Sequence, residues 1–262
     1  MSRYEPSPDC LHGRAVLVTG AGEGVGRAVA LACARYGAEV VLLGRTVSKL
    51  EAVYDEIVNA GGREPAIYPM DLSGATHGDH RELAANVREK IGHLEGLVHC
   101  AAALELLTPL EFHPVDVWDE TLKVNLTAPF LLTQACLPLL KEAADSAIVF
   151  ASDECAGTAK GYWGAYAVSK AGLNNLATMW AQELSDTSVR VNIIDTGPVR
   201  TAMRLRTHPG APLSFWPLPE VLTPLFVYFM GPDSRGERGR LEKAHEWIEW
   251  TVDDGQGGSE PC

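Results

Sequence analysis

The sequence holds no apolar run near the roughly 18 residues that a bilayer-spanning helix needs, and Met1 to Cys10 has no apolar stretch of the signal-peptide kind. A cytoplasmic protein with no membrane partner is the expectation. Basic residues are in short supply: 22 Lys and Arg stand against 34 Asp and Glu, for a formal net charge of -12. Nucleic acids and anionic lipid surfaces are bound through basic patches, so a nucleic-acid partner is not expected either. The six cysteines (Cys10, Cys33, Cys100, Cys136, Cys155 and Cys262) form no C-x-x-C pair. Cys33 and Cys136 fall in predicted helices as small apolar fillers, so neither a disulfide framework nor a metal site is expected from cysteine. No internal repeat and no low-complexity segment is present.

What the chain has is length and apolar content: 262 residues, 46% of them hydrophobic, suffice to bury the core of one domain spanning 1–262. Its organising stretch is Ala15-Val16-Leu17-Val18-Thr19-Gly20-Ala21-Gly22-Glu23-Gly24-Val25-Gly26. Four apolar residues suit a buried strand, and Arg27 to Tyr36 then reads as a helix stopped by Gly37. A helix N-terminus offers unpaired N–H groups and partial positive charge, and glycines let a ligand come close to the backbone, so this turn suits a phosphate. The spacing is T-G-x-x-x-G-x-G (Thr19, Gly20, Gly24, Gly26) rather than G-x-G-x-x-G, which would need glycine at Val25. A purely structural strand-to-helix turn has the same local pattern.

Strands and helices then alternate. Strands are predicted at Glu39 to Leu43, Ala66 to Met70, Gly96 to Ala101, Ala147 to Ala151 and Val189 to Ile194. Helices are predicted at Val47 to Ala60, Arg81 to Ile91, Asp116 to Leu140 (interrupted near Pro129) and Trp163 to Leu184. This order predicts an α/β fold: a Rossmann-type, doubly wound parallel sheet with helices on both faces and ligands at the carboxyl ends of its strands. Proline-rich 199–219 reads as a mobile loop or lid, and Pro219 to Met230 as helix. From Arg235 to Trp250 the pattern is ambiguous, with Trp247 to Val252 open as a last strand. The tail 255–262 reads as disordered.

The second strand ends at Gly44-Arg45-Thr46, where such a fold meets the adenosine ribose. A carboxylate there would bind a 2′-hydroxyl; Arg45 and Thr46 instead offer donors for a 2′-phosphate, which favours NADP(H) over NAD(H). Glu23 could oppose that phosphate or pair with Arg45, and Arg45 could equally be a solvated surface residue. Tyr166 and Lys170, four apart on one helix face, form a second constellation. A nearby ammonium lowers a tyrosine pKa and so makes the phenol a usable acid or base for a carbonyl/alcohol pair.

With both motifs in one chain, the sequence resembles the short-chain dehydrogenase/reductase family from about Leu11 to Gly231. Leu42-Leu43-Gly44-Arg45, Leu131 to Ala135, Trp163 to Ala167 and Arg200-Thr201-Ala202-Met203-Arg204 look like its bacterial YciK-type oxidoreductases. The resemblance implies a seven-stranded sheet, a homodimer or homotetramer built through two long helices, and hydride transfer between nicotinamide and a small-molecule carbonyl or alcohol substrate. It implies Tyr166 as acid/base, Lys170 holding the nicotinamide ribose, Asn125 anchoring a water relay behind Lys170, and Asp71 at the adenine. The implied cofactor-binding set is Thr19, Gly20, Gly22, Glu23, Gly24, Val25, Gly26, Arg45, Thr46, Asp71, Leu72, Ala101 and Thr201, with Asn125, Tyr166 and Lys170.

The sequence departs from that family in its reacting centre. The family usually has a serine 13 positions before the tyrosine, donating to the substrate oxygen; here that position is Asp153. An ionised Asp153 cannot donate. It could serve if an apolar site kept it protonated, or Ser152 could supply the hydroxyl, although strand alternation should point Ser152 to the other face. Cys100-Ala101-Ala102 replaces N-A-G, losing an amide and adding a methyl beside the cofactor path, and Thr196-Gly197 replaces P-G. These changes motivate an alternative: a cofactor-binding but catalytically impaired homologue with a sensing or scaffold role. Asp153-Glu154 is also similar to the Asp-Glu pair of sugar-nucleotide 4,6-dehydratases, but those need an added domain that 262 residues leave little room for. His77, Asp79 and His80 have no third partner for a metal, and Asp79 reads as a helix cap.

Overall fold

The computed structural model describes residues 4–247. In chain order the elements are β1 (Ala15–Thr19), α1 (Gly24–Arg35), β2 (Glu39–Gly44), α2 (Val47–Asn59), β3 (Ala66–Pro69), α3 (His77–Lys90) and β4 (Gly96–His99). Then follow α4 (Val115–Leu122), α5 (Ala128–Glu142), β5 (Ser146–Ser152), α6 (Gly164–Glu183), β6 (Val189–Asp195), α7 (Ala202–Thr207), α8 (Thr223–Met230), β7 (Leu241–Lys243) and α9 (Ala244–Trp247). The seven strands form one parallel sheet in the order β3-β2-β1-β4-β5-β6-β7, so the expected doubly wound Rossmann sheet is present.

Alternation along each strand divides the core into two layers. Val16, Val18, Val40, Leu42, Val149 and Ala151 pack under α1, α2 and α8, whereas Leu17, Val41, Leu43, Ile148 and Phe150 pack under α3, α5 and α6. Both faces are covered, which is why these strands read as unbroken apolar runs. β6 is the exception, because Arg190 and Asn192 are fully buried within it.

Several boundaries differ from the sequence reading. α1 starts at Gly24 rather than Arg27, so the glycine turn itself enters the helix. α3 starts at His77, one turn before Arg81, because Thr76 is its N-cap: Thr76 and Asp79 form a reciprocal capping box, with Asp79 at the third helical position rather than at the cap. Pro129 does not interrupt the central helix; it lies in the first turn of α5, where a missing N–H is tolerated, and the irregularity is a π-helical turn at Lys123–Thr127. The 199–219 segment is no bare loop, since it contains α7 and buries Trp216. The closing strand is Leu241–Lys243, paired with β6, and Trp247 lies in α9 instead of opening a strand. The rest of Trp247 to Val252 and the 255–262 tail lie outside the described residues.

Candidate functional site

The carboxyl ends of β1, β4 and β5 open into a cavity of about 540 Å3. The glycine turn forms one wall. Gly26 is held there by packing: a Cβ would lie 2.3 Å from the carbonyl oxygen of Gly20, so only glycine lets α1 start so close to the strand end. Gly24 has φ +56°, and a Cβ on it would sit 3.3 Å from Cγ2 of Thr201, which ties the turn to the 199–219 segment. Glu23 occupies the N-cap of α1 in extended backbone without capping it by its side chain. The first N–H groups of a 12-residue helix therefore face the turn without a side-chain acceptor.

Gly20, Gly22, Glu23, Gly24, Val25, Arg45, Thr46, Asp71, Leu72, Ala101 and Thr201 all line this cavity. Thr19 does not. Its hydroxyl accepts from the N–H of Cys100 and of Ala101, both at 3.0 Å, and so fastens the end of β4 to the end of β1. The backbone that lost the family's asparagine amide is thus held by Thr19. The Cys100 thiol is pushed up to about 12 by burial, so it is a neutral wall group. Glu23 pairs with Lys49 and not with Arg45; Lys49, which the sequence reading missed, also lines the cavity. Arg45 and Thr46 are exposed at the cavity rim, and Asp71 turns its Oδ1 to the N–H and hydroxyl of Ser73 at 3.0 and 2.9 Å.

At the other end lie Tyr166 and Lys170. Both are buried, and Lys170 Nζ donates to the Ala151 carbonyl at 2.8 Å while standing 5.7 Å from the centre of the Tyr166 ring. The Tyr166 hydroxyl donates to Oδ2 of Asp153 at 3.4 Å. Asp153 also accepts at Oδ1 from the N–H of Cys155 at 3.0 Å, so both contacts are those of an acceptor. The expectation that Lys170 lowers the Tyr166 pKa is not met. Burial first, and then the Asp153 charge, push the phenol well above its ordinary value. Lys170 is itself lowered, mainly by burial.

Ser152 is buried and its hydroxyl has no partner, on the strand parity of Phe150 rather than that of Ala151 and Asp153. Asn125 does not face the cavity. From the π-helical turn its Oδ1 accepts from Ala103 N at 2.6 Å, and its Nδ2 donates to the Ala103 carbonyl at 2.9 Å and to Ser169 Oγ at 3.0 Å. It clamps the chain just after Ala102, and Ser169 is the helix neighbour of Lys170. His77, Asp79 and His80 stay apart from this cavity, at the start of α3.

Beyond the sequence reading, Leu104, Trp163, Met203 and Arg204 complete the wall near Tyr166. The signal for Arg204 was present in Thr201-Ala202-Met203-Arg204. Thr201 caps α7 by accepting from Arg204 N at 3.2 Å, which turns the arginine inward one helical turn from the cap.

This assembly of glycine turn, sheet and Tyr-Lys helix has close relatives. Residues 14–210 match the family model for short chain dehydrogenases. The chain is 37% identical over 236 residues to the uncharacterized oxidoreductase YciK of Escherichia coli (strain K12), covering 90% of this chain and 93% of that protein. Among solved structures, a Pseudomonas syringae chain assigned as a short chain dehydrogenase is 42% identical, with a TM-score of 0.89 over 93% of this chain and 100% of that one. An Escherichia coli CFT073 chain of the same assignment, crystallised with NADPH, is 37% identical with a TM-score of 0.89 over 91% of this chain and 99% of that one. Fold, motif order and identity agree over nearly the whole length, and the chain therefore belongs to the short-chain dehydrogenase family of oxidoreductases.

Proposed function

We propose that the protein is an NADP(H)-dependent oxidoreductase that interconverts a small carbonyl compound and its alcohol, with Tyr166 as the proton-transferring residue. One observation carries this reading: a glycine turn able to cradle phosphates and a buried Tyr166–Lys170 pair open into the same cavity. The residues present fit the dinucleotide. The uncapped α1 N-terminus suits its pyrophosphate, the exposed Arg45 and Thr46 suit a 2′-phosphate, and the wall at Ala101 and Ala102 is made of small residues. The NADPH bound by the Escherichia coli CFT073 relative supports the same preference.

When bound, the nicotinamide supplies or accepts the hydride. Tyr166, a neutral phenol, gives its proton to the substrate oxygen as the carbonyl carbon is reduced, and takes a proton back in the reverse direction. Lys170, anchored on the Ala151 carbonyl at 2.8 Å and 5.7 Å from the Tyr166 ring, would hold the nicotinamide ribose beside the reacting centre. Asn125 keeps the Ala103 backbone in place and so shapes the wall beside the reacting carbon. A homodimer or homotetramer and a small-molecule substrate are part of this reading.

A second reading, a cofactor-binding homologue impaired in turnover, is favoured by one fact. The group on the Tyr166 hydroxyl is the acceptor Asp153, where a hydroxyl donor would stabilise the developing oxyanion. Fluorescence titration with NADPH and NADH, followed by a screen of carbonyl compounds, separates the two. The first reading expects micromolar NADPH binding, weaker NADH binding, and a turnover that Tyr166→Phe lowers by about 100- to 10,000-fold without loss of NADPH binding. Binding without turnover of any carbonyl supports the second reading, and absence of binding overturns both.

A further inference from the structure

Arg204, half-buried beside the more exposed Arg206, is a cation of the cavity wall that the reading above does not use. Its guanidinium lies 5.1 Å from the ring centre of Trp216, and Trp216 is itself buried at 3% exposure. Trp216 packs edge-on against His208 at 5.8 Å, His208 stands 6.3 Å from Trp163, and Trp163 stands 5.8 Å from Tyr166. A series of neighbouring rings therefore links the tyrosine to the platform under the arginine, with Trp163 and Tyr166 lining the cavity. The Thr201 cap fixes the backbone at Arg204, and the Thr201 methyl faces Gly24, so the arginine is placed from both ends of its segment.

What Arg204 lacks is a contact ion pair, since Asp153 and Glu154 act on it only through their charge. Its Nε is enclosed and has no hydrogen-bond partner. The carboxylates of the adjoining segment are engaged elsewhere: Glu154 pairs with Lys160, and Asp153 accepts from Cys155 N and Tyr166. Among the described residues no carboxylate makes an ion pair with it. A guanidinium stays charged, so a half-buried one with an enclosed, unpartnered Nε and no ion pair gains from an anionic ligand. With one face stacked on an indole, its free donors are those of the planar edge, which match a carboxylate in a two-point fork. The surfaces between it and Tyr166 are apolar, from Leu104, Trp163 and Met203. Asp153 in the same cavity disfavours a dianionic phosphate and leaves a singly charged group as the better match.

We propose that Arg204 is the substrate-selecting residue of this site: the cavity takes a carbonyl or hydroxy compound with an apolar body and a carboxylate, and Arg204 receives that carboxylate while Tyr166 meets the reacting oxygen. The inference rests on the cavity being the substrate site of the proposed oxidoreductase. In such a complex the arginine also offsets the repulsion of the substrate by Asp153.

The test uses the full chain with NADPH and a panel of 2-oxo and 3-oxo carboxylates with alkyl or aryl bodies, each beside its methyl ester. In wild type at least one acid exceeds its ester by tenfold or more in kcat/KM. Arg204→Met lowers that acid-to-ester ratio by about 100-fold, Arg204→Lys restores part of it, and NADPH titration shows that each variant is folded. A ratio near one in wild type, or one that Arg204→Met leaves in place, overturns the inference. Calorimetric titration of the NADP+ complex with the matching hydroxy acids gives a readout independent of turnover. Acid binding that Arg204→Met abolishes, in a protein that turns over no carbonyl, supports Arg204 as the anion receptor while the oxidoreductase reading fails. Binding of no acid, whatever the turnover of esters, overturns the role of Arg204 alone.

Discussion

The hydroxyl of Tyr166 and Oδ2 of Asp153 stand 3.4 Å apart, with the phenol as donor and the carboxylate as acceptor. Burial and then the Asp153 charge raise the phenol well above its ordinary value. Carbonyl reduction needs the protonated phenol, so kcat/KM holds through neutral pH and falls only as pH rises through the raised Tyr166 pKa. Asp153→Ser removes the charge and weakens the hydrogen bond, so the alkaline limb of the pH–rate profile moves to lower pH. At pH 7 the same variant is expected to leave kcat/KM flat or lowered. A gain of about 100-fold would show that Asp153 impairs the enzyme, since a restored hydroxyl donor is worth about 3 kcal/mol in the transition state.

The Glu23–Lys49 pair beside the rim residue Arg45 sets a second expectation. Arg45→Ala is expected to weaken NADPH binding by about 10- to 100-fold and to change NADH binding by less than about threefold, because only the 2′-phosphate loses a partner. Glu23→Gln frees Lys49 and removes a repelling carboxylate, so NADPH binds a few-fold tighter. Both groups are exposed, and the gain therefore shrinks as salt rises. Fluorescence titrations of both cofactors at two ionic strengths check all three statements. Equal losses for NADPH and NADH in Arg45→Ala would place Arg45 away from the 2′ position.

Much of this arrangement was legible in the sequence because it is local. The strand-turn-helix at Ala15 to Gly26 and the Tyr166–Lys170 spacing each lie within one element and its cap, where periodicity and backbone freedom decide the outcome. Non-local contacts were not legible. That Glu23 turns to Lys49 rather than Arg45, and that Tyr166 meets Asp153 before it meets Lys170, depends on how separate elements converge. β7 escaped notice because three residues, Leu241–Lys243, carry too short a pattern to register. The prolines of 199–219 pointed to irregular backbone, correctly for most of it. The buried Trp216 and the Thr201 cap, which hold that segment on the body, leave no periodic mark.

Arg190 in β6 donates to Asp145 through Nε at 2.9 Å and to the carbonyls of Phe229 and Gly231 at 3.0 and 3.1 Å. Arg14 is also bonded to Asp145, so one carboxylate joins the N-terminal segment, the start of β5 and the turn after α8. The carboxyl is held below its ordinary value: burial opposes this, and the two arginines prevail. Asp145→Ala leaves Arg190 buried without its counter-charge and is expected to destabilise the fold by about 3 to 5 kcal/mol. Urea unfolding at pH 7 measures the loss. A change below about 1 kcal/mol would mean that the carbonyl contacts alone satisfy Arg190.

His99, the last residue of β4, leads into the wall formed by Cys100, Ala101 and Ala102, and it contributes to the fold's sensitivity to mild acid. Its ring is stacked on Phe150 at 4.6 Å, and Nε2 is 2.9 Å from Thr133 Oγ1. Burial first, then the charges of His80 and Lys170, push it down to about 3. His80, fully buried with neither ring nitrogen partnered, is lowered by burial as well. Above the ordinary histidine value of 6.5 both rings are neutral, folded or unfolded, and their contribution to stability is fully present. As pH falls below that value the unfolded chain takes up protons that the folded chain refuses, so stability is lost progressively toward about 3 for His99. The slope is roughly 1.4 kcal/mol per pH unit for each such histidine. Ordinary carboxylates barely titrate between pH 7.5 and 5.0, so a drop in urea midpoint over that interval reports on the histidines. His99→Gln keeps a partner for Thr133 and removes the titrating ring, and its midpoint is expected to drop by less than wild type over the same interval. Because folded His99 stays neutral down to about 3, the cavity wall it leads into is unchanged over this interval, and His99 itself gives NADPH affinity no dependence on pH there. Equal drops in the two proteins would place the acid sensitivity at another group.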